Sequence, residues 1–379
     1  MSEKIQVGAY YFPNYHVDKR NEIIHGKGWT EWQLVNHATP RFKDHQQPKV
    51  PLWGYGDEAD PKVMEMKIDA AADNGIDYWI FDWYWYDDGP FLDSCLEKGF
   101  MGAKNNNRIK FCCMWANHDW HNMHPGSVRA RATGKLELLY PGKVSEKTFD
   151  TITTHVVEKY FKHPSHFNID GCPYFSVYDL NELLKNFGSI AKTRKALDDF
   201  RKKTKAAGFK DLHLNAVVWG RPNLPGESVP VDPVKLLEEL GFDSFTSYVW
   251  IHHVELTGFP FTPYKKVRDE YFLYWEKAVK TFSIPYFPNV SMGWDTTPRF
   301  VQSDILSEEY EFGKCIDQNT PEAFKAALQM AKEKLENQLG PKIMNINSWN
   351  EWTEGSYLEP DKINGAGYLK AIREVFNTK

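Results

Sequence analysis

Residues 320–349 read TPEAFKAALQMAKEKLENQLGPKIMNINSW. Phe324, Leu328, Ala331, Leu335 and Leu339 recur at spacings of three and four, which puts them on one apolar face of a helix. Thr320 suits the N-cap, Pro321 the first helical position, and Gly340 the stop. An apolar run of strand type, 342–349, follows at once. The stretch is one helix–strand unit, and the chain repeats it. Strand-like runs fall at 5–11, 77–83, 109–115, 174–178, 212–219, 243–250, 286–292 and 342–349. Helical patterns lie between and after them at 60–74, 90–104, 145–161, 180–207, 232–240, 264–282, 320–339 and 365–376; Val267, Tyr271, Trp275, Ala278 and Phe282 make a second apolar face. Such alternation means parallel strands joined by right-handed crossovers. Eight repeats predict an α/β fold closed into a single (β/α)8 TIM barrel over residues 1–379. The competing open, doubly wound sheet carries a glycine-rich phosphate turn after its first strand. Here that place reads Tyr10-Tyr11-Phe12-Pro13-Asn14-Tyr15. Long connections follow strand one (12–60) and strand three (117–144), at the carboxyl ends where a barrel builds its active site.

The chain has 379 residues, 42% hydrophobic and 26% charged, an ordinary globular composition. A net charge of −5 argues against a nucleic-acid partner, which needs clustered Lys and Arg. No apolar run is long enough to span a membrane. Five cysteines, an odd number, fit free thiols better than a disulfide framework, and Cys112 and Cys113 point to opposite faces of their strand. The opening Met1-Ser2-Glu3-Lys4 runs into strand-like sequence without a charged-then-apolar leader. That reads as cytoplasmic by default, and as periplasmic or surface if a leader was trimmed. Oligomeric state is not legible.

Fourteen tryptophans are the unusual number. Trp83, Trp85, Trp115, Trp120, Trp219, Trp250, Trp294, Trp349 and Trp352 sit at or just beyond strand carboxyl ends; Trp29, Trp32 and Trp53 lie in the first long loop. Any one of them could be packing. Their gathering at one end, interleaved with Asp82, Asn117, His118, Asp295 and Asn350, reads as a carbohydrate cleft, because a broad aromatic face with a polar edge suits a sugar ring. Tyr11, Tyr178 and Tyr248 at the same ends, and Glu31 in Gly28-Trp29-Thr30-Glu31-Trp32, complete the candidate binding set. The expected partner is an oligosaccharide or polysaccharide.

Chemistry concentrates in Asn347-Ser348-Trp349-Asn350-Glu351-Trp352-Thr353-Glu354-Gly355. Glycoside hydrolysis uses two carboxyl groups with different duties, one of them kept protonated near neutral pH. Glu351 and Glu354, three apart on a tight post-strand turn, are the candidate catalytic pair, and apolar neighbours Trp349 and Trp352 would raise a carboxyl pKa by desolvation. The plain alternative is a loop-stabilising pair. His118, His121 and His124 match zinc spacing poorly, so no metal and no cofactor are expected. No P-loop, nucleophile elbow or kinase signature is present.

Gly8-Ala9-Tyr10-Tyr11-Phe12-Pro13, Gly28-Trp29-Thr30-Glu31-Trp32, Trp115-Ala116-Asn117, Thr297-Pro298-Arg299, Trp349–Gly355 and Leu358-Glu359-Pro360 together resemble the WbsX-like family, a group described as glycosyltransferases and related to glycoside hydrolase family 99. The resemblance covers nearly the whole chain. It implies a (β/α)8 barrel, no metal, and a glutamate pair after the eighth strand. It further implies that Glu351 assists the sugar's own 2-hydroxyl in a retaining route, while Glu354 is the general acid and then base. The family's Ala-Asn-Glu after strand three is Ala116-Asn117-His118 here, one acid fewer. Three functions compete: a hydrolase of an α-linked, mannose- or rhamnose-like glycan, a glycosyltransferase in polysaccharide assembly, and a carbohydrate-binding barrel without catalysis. Sugar-nucleotide transfer would want a basic cluster or an Asp-x-Asp motif, and Asp87-Asp88 lacks that spacing.

Overall fold

The computed structural model describes residues 4–310 and 313–376, so the residues 1–3 of the leader reading lie outside it. Every expected strand run forms a strand: Gln6–Tyr11, Tyr78–Tyr86, Lys110–Trp115, Cys172–Val177, His213–Val217, Ser244–Thr246, a seventh in two pieces (Tyr286–Phe287 and Asn289–Ser291), and Ile343–Asn347. Neighbours pair in parallel, strand one against both two and eight, with Gly8 opposite Tyr78 and Asn345. The seventh strand closes the ring. Its first piece pairs with strand six (Phe245 opposite Tyr286) and its second with strand eight (Asn289 opposite Asn345). Pro288 stands between the pieces with no N–H to donate, though its carbonyl still accepts from the Asn345 N–H at 2.9 Å. The chain is a (β/α)8 barrel.

Helices Pro61–Asp73, Glu146–His155, Pro233–Leu240, Tyr264–Thr281, Pro321–Asn337 and Gly367–Phe376 fall within their expected spans. Three details differ. The 180–207 pattern is two helices, Leu180–Phe187 and Ile190–Ala206: Gly188 takes the left-handed conformation (φ +77°) that ends the first, and the Ser189 side chain caps the second. The 90–104 pattern yields only a π-helical turn, Cys95–Phe100. The helix of the opening stretch stops at Asn337, so Leu339 leaves its apolar face and stands 94% exposed.

Strand period two sorts the side chains. On the second strand Tyr78 and Ile80 face the barrel interior, whereas Trp79, Phe81 and Trp83 face the helix layer. Cys112 and Cys113 divide the same way, and all five cysteines are free. The first long loop carries helices Lys19–His25 and Trp32–His37; the third carries the ribbon Trp120–His121/Leu138–Tyr140 and helix Val128–Ala132. Among the described residues no helix is long and apolar enough to cross a membrane.

Candidate active site

Side chains at the strands' carboxyl ends enclose a hollow of about 180 Å³. At roughly 30 Å³ per water this is space for a handful of waters, or for one sugar ring. Asp82 and Tyr84 enter from strand two, Tyr178 from strand four, Tyr248 from strand six, Arg299 after strand seven, and Glu351 and Glu354 after strand eight; His118, Trp120 and His124 close it from the third connection.

The eighth strand's continuation aims the glutamates. Asn350–Glu351 pairs antiparallel with Ser356–Tyr357, and Trp352–Glu354 makes a single 3₁₀ turn between them. Gly355 ends that turn at φ +63°, and a Cβ there would stand 2.7 Å from the Asp295 Cβ, so only glycine fits. The tight return leaves Glu351 and Glu354 on the same wall.

Arg299 organises that wall. Its Nη1 donates to Glu354 Oε1 at 2.5 Å, its Nη2 to Glu351 Oε2 at 2.9 Å, and its Nε to Thr353 Oγ1 at 2.8 Å. Glu31 Oε1 lies 3.3 Å from the same Nε and also accepts from the Thr353 hydroxyl. The guanidinium lies 5.4 Å from the Phe12 ring centroid, a cation–π contact. Burial pushes both catalytic-candidate carboxyls above the usual range, Glu351 well above it, with the Glu354 charge adding to the push; the guanidinium opposes the rise in each. Asp82 is raised well above its usual value by burial, against one hydrogen bond from Tyr248. The Tyr248 hydroxyl stands 2.9 Å from Asp82 Oδ2 and 3.1 Å from Glu351 Oε1. Burial also lowers His118, and His124 more strongly, which keeps both imidazoles neutral at pH 7.

Of the residues expected at the site, the hollow gathers Glu351, Glu354, Asp82, His118, Tyr178 and Tyr248. Glu31 is fully buried behind it, held also by the Asn14 amide at 2.5 Å. Trp219 is half-buried beside Tyr178, its indole N–H donating to the Tyr178 carbonyl at 3.2 Å. The rest are corrections. Tyr11, Trp83 and Trp85 have the outward parity of their strands and pack on the helix layer, Tyr11 against Met64 and Trp83 and Trp85 against His155. Trp250 is spent on Tyr264 and Tyr271, and Trp349 on Trp53 and Trp79. Trp32 packs tilted against Tyr15 and edge-on to Trp352, and donates to the Gly56 carbonyl. Asn117 bridges to the Asp179 backbone, and Asn350 pins the Phe12 backbone and Glu58, so neither amide is free for a ligand. Arg299, Tyr84 and Phe12 were missed. The signal for Arg299 was physical: a buried carboxylate cluster requires a cation.

Trp294 and Asp295 line a different, larger cavity of about 760 Å³. There His45, Asp295 and Cys315, rather than the His118/His121/His124 run, bring ligand-type atoms within 4.8 Å of one another. The set is a hydrogen-bond cluster. His45 Nδ1 accepts from the Arg41 N–H at 3.0 Å, so Nε2 carries the proton it gives to Asp295 Oδ2 at 2.9 Å; a metal at Nε2 would force a proton onto Nδ1 facing that N–H. Gln47 and Thr297 also donate to the Asp295 carboxylate. Burial would raise this carboxyl, but His45 and the Thr297 hydroxyl hold it well below the usual carboxylate range.

Residues 7–372 match the family described as glycosyltransferase WbsX. The protein WxcX of Xanthomonas campestris pv. campestris (strain B100) is 26% identical over 384 residues, covering 97% of this chain and 49% of that one. This chain therefore spans about half the length of the curated relatives it matches. Among solved structures, a glycoside hydrolase-like protein superposes with a TM-score of 0.63 at 15% identity, covering 100% of this chain and 95% of the other. The GH99 endo-alpha-mannosidase from Bacteroides thetaiotaomicron superposes with a TM-score of 0.52 at 15% identity, covering 98% and 96%.

Proposed function

The chain belongs to the glycosyltransferase WbsX family, and from that premise we propose that it acts on glycans as a glycoside hydrolase, cleaving an α-linked, mannose- or rhamnose-like residue with retention. One observation carries the reading: two glutamates of one turn, linked by a shared guanidinium, face a hollow the size of a sugar ring. In this reading Glu351 draws the proton from the sugar's 2-hydroxyl, and the O2 so freed displaces the leaving group from the anomeric carbon. Glu354, raised by burial, protonates the departing oxygen and later deprotonates the water that attacks the anomeric carbon and opens the 1,2-anhydro ring, while Glu351 returns its proton to O2. Arg299 fixes the two carboxyls relative to each other by holding one oxygen of each.

The family's description favours transfer from a sugar nucleotide. The hollow's electrostatics favour hydrolysis: among the described residues Arg299 is the one permanently cationic side chain lining it, already engaged by Glu351 and Glu354, and the ionised Glu351 would repel a pyrophosphate.

A screen of polysaccharides and oligosaccharides, with NMR of the first-formed anomer, tests the proposal. Glu354→Gln and Glu351→Gln are expected to lower turnover about 10²-fold or more, the usual scale of general acid–base catalysis. Full activity in Glu354→Gln removes its assigned role, an inverted product removes the 2-hydroxyl route, and micromolar binding of a nucleotide sugar restores the transferase reading.

A further inference from the structure

The Tyr248 hydroxyl has one hydrogen and two carboxyl neighbours, Asp82 Oδ2 at 2.9 Å and Glu351 Oε1 at 3.1 Å. If both carboxyls were ionised, two like charges would share that single hydrogen. Both contacts are satisfied when one carboxyl is protonated and donates to the phenol oxygen, while the phenol donates to the other. Which one holds the proton follows from the surroundings. Glu351 receives Arg299 Nη2 at 2.9 Å on its second oxygen, so a negative charge there has a direct partner. Among the described residues Asp82 has no cation in hydrogen-bond contact. It is 2% exposed, its Oδ1 has no hydrogen-bond partner, and it lines the hollow.

We propose that Asp82 is a neutral carboxylic acid in the folded protein at neutral pH, donating through Oδ2 to Tyr248 and keeping its enclosed Oδ1 uncharged. The acid–phenol pair then fixes Tyr248 as a donor to Glu351, which keeps Glu351 ionised as its task in the proposed mechanism requires. Asp82 thus acts through Tyr248, as a positioning residue. The charged and titratable groups facing it agree with this state. Tyr10, Tyr84, Tyr178 and Tyr248 bring no positive charge, Glu351 brings negative charge, and among the described residues lining the hollow Arg299 is the single permanent cation, shared by Glu31, Glu351 and Glu354. The protonation does not depend on the glycan reading; the task given to Glu351 does.

The sign of the linkage makes a test that needs no substrate. An acid held protonated in the fold but ionised in the unfolded chain makes unfolding release a proton, so its contribution worsens as pH rises above about 4. Asp82→Asn reproduces the neutral form and does not titrate. Its melting temperature is expected to gain on the native protein by about 2 °C per pH unit between pH 5 and 8. The infrared difference spectrum, native minus D82N at pH 7, is expected to contain a protonated-carboxyl C=O band. A pH-independent difference in melting temperature together with absence of that band overturns the proposal. Should D82N fail to fold, the native-minus-E351Q difference spectrum decides: it lacks a protonated-carboxyl band if Asp82 holds the proton, and a band there assigns the proton to Glu351 and overturns the proposal.

Discussion

Arg299 meets Glu31, Glu351 and Glu354 with one planar fork, and a lysine cannot reproduce that geometry because its ammonium is a single point charge. Arg299→Lys is expected to fold and to lose about 10²-fold in turnover, since one glutamate loses its aim. Arg299→Met, which strands three buried carboxyls, is expected to lose about 3–5 kcal/mol in denaturant titration. Near-native activity in R299K would mean that the fork does not set the pair. The shared placement of Glu351 and Glu354 was legible, because a tight post-strand turn brings two carboxyls three apart onto one wall. Arg299 sat in a quoted motif without a role, because its importance depends on Glu31 and Thr353 from distant loops converging on it, and sequence separation hides convergence.

On the second strand the expected binding residues included Asp82, Trp83 and Trp85 together, although strand parity puts Asp82 on one face and both tryptophans on the other. Most indole misassignments share this cause: position along the chain marks the carboxyl end, but only alternation marks the interior. Trp349 and Trp250 fail differently, since the chain has left its strand by then and parity no longer speaks. The helix Pro61–Asp73 conceals a second surprise in an apolar-looking face. Lys67, 3% exposed, lies 2.5 Å from both Glu58 and Glu359, and Glu58 in turn accepts from Asn350 beside the turn that carries Glu351 and Glu354. Burial pushes Glu58 up to about 7. Lys67→Met is expected to cost about 3–5 kcal/mol at pH 8, and less at pH 5, where the stranded carboxyls can take up protons. Chemical denaturation at the two pH values checks the sign; an equal loss at both would mean that the carboxyls remain ionised.

At the scale of the molecule the barrel was readable because strand and helix periods alternate eight times, and that count survives errors of several residues at every boundary. The break in its seventh strand was not, for that strand looks continuous in sequence. What the alternation also leaves unsaid is how evenly the ring is sewn. Strands two and three share six residue pairs in register, whereas the broken seventh holds two with strand six and three with strand eight. Backbone amides next to Pro288 are therefore expected to exchange with deuterated solvent ahead of those in strands one to three, with mass spectrometry of peptides spanning 284–292 and 109–116 as the comparison. Uniform protection would contradict it. The ring, on this view, has a seam, and the loop bearing Arg299 hangs from its loosest stitch.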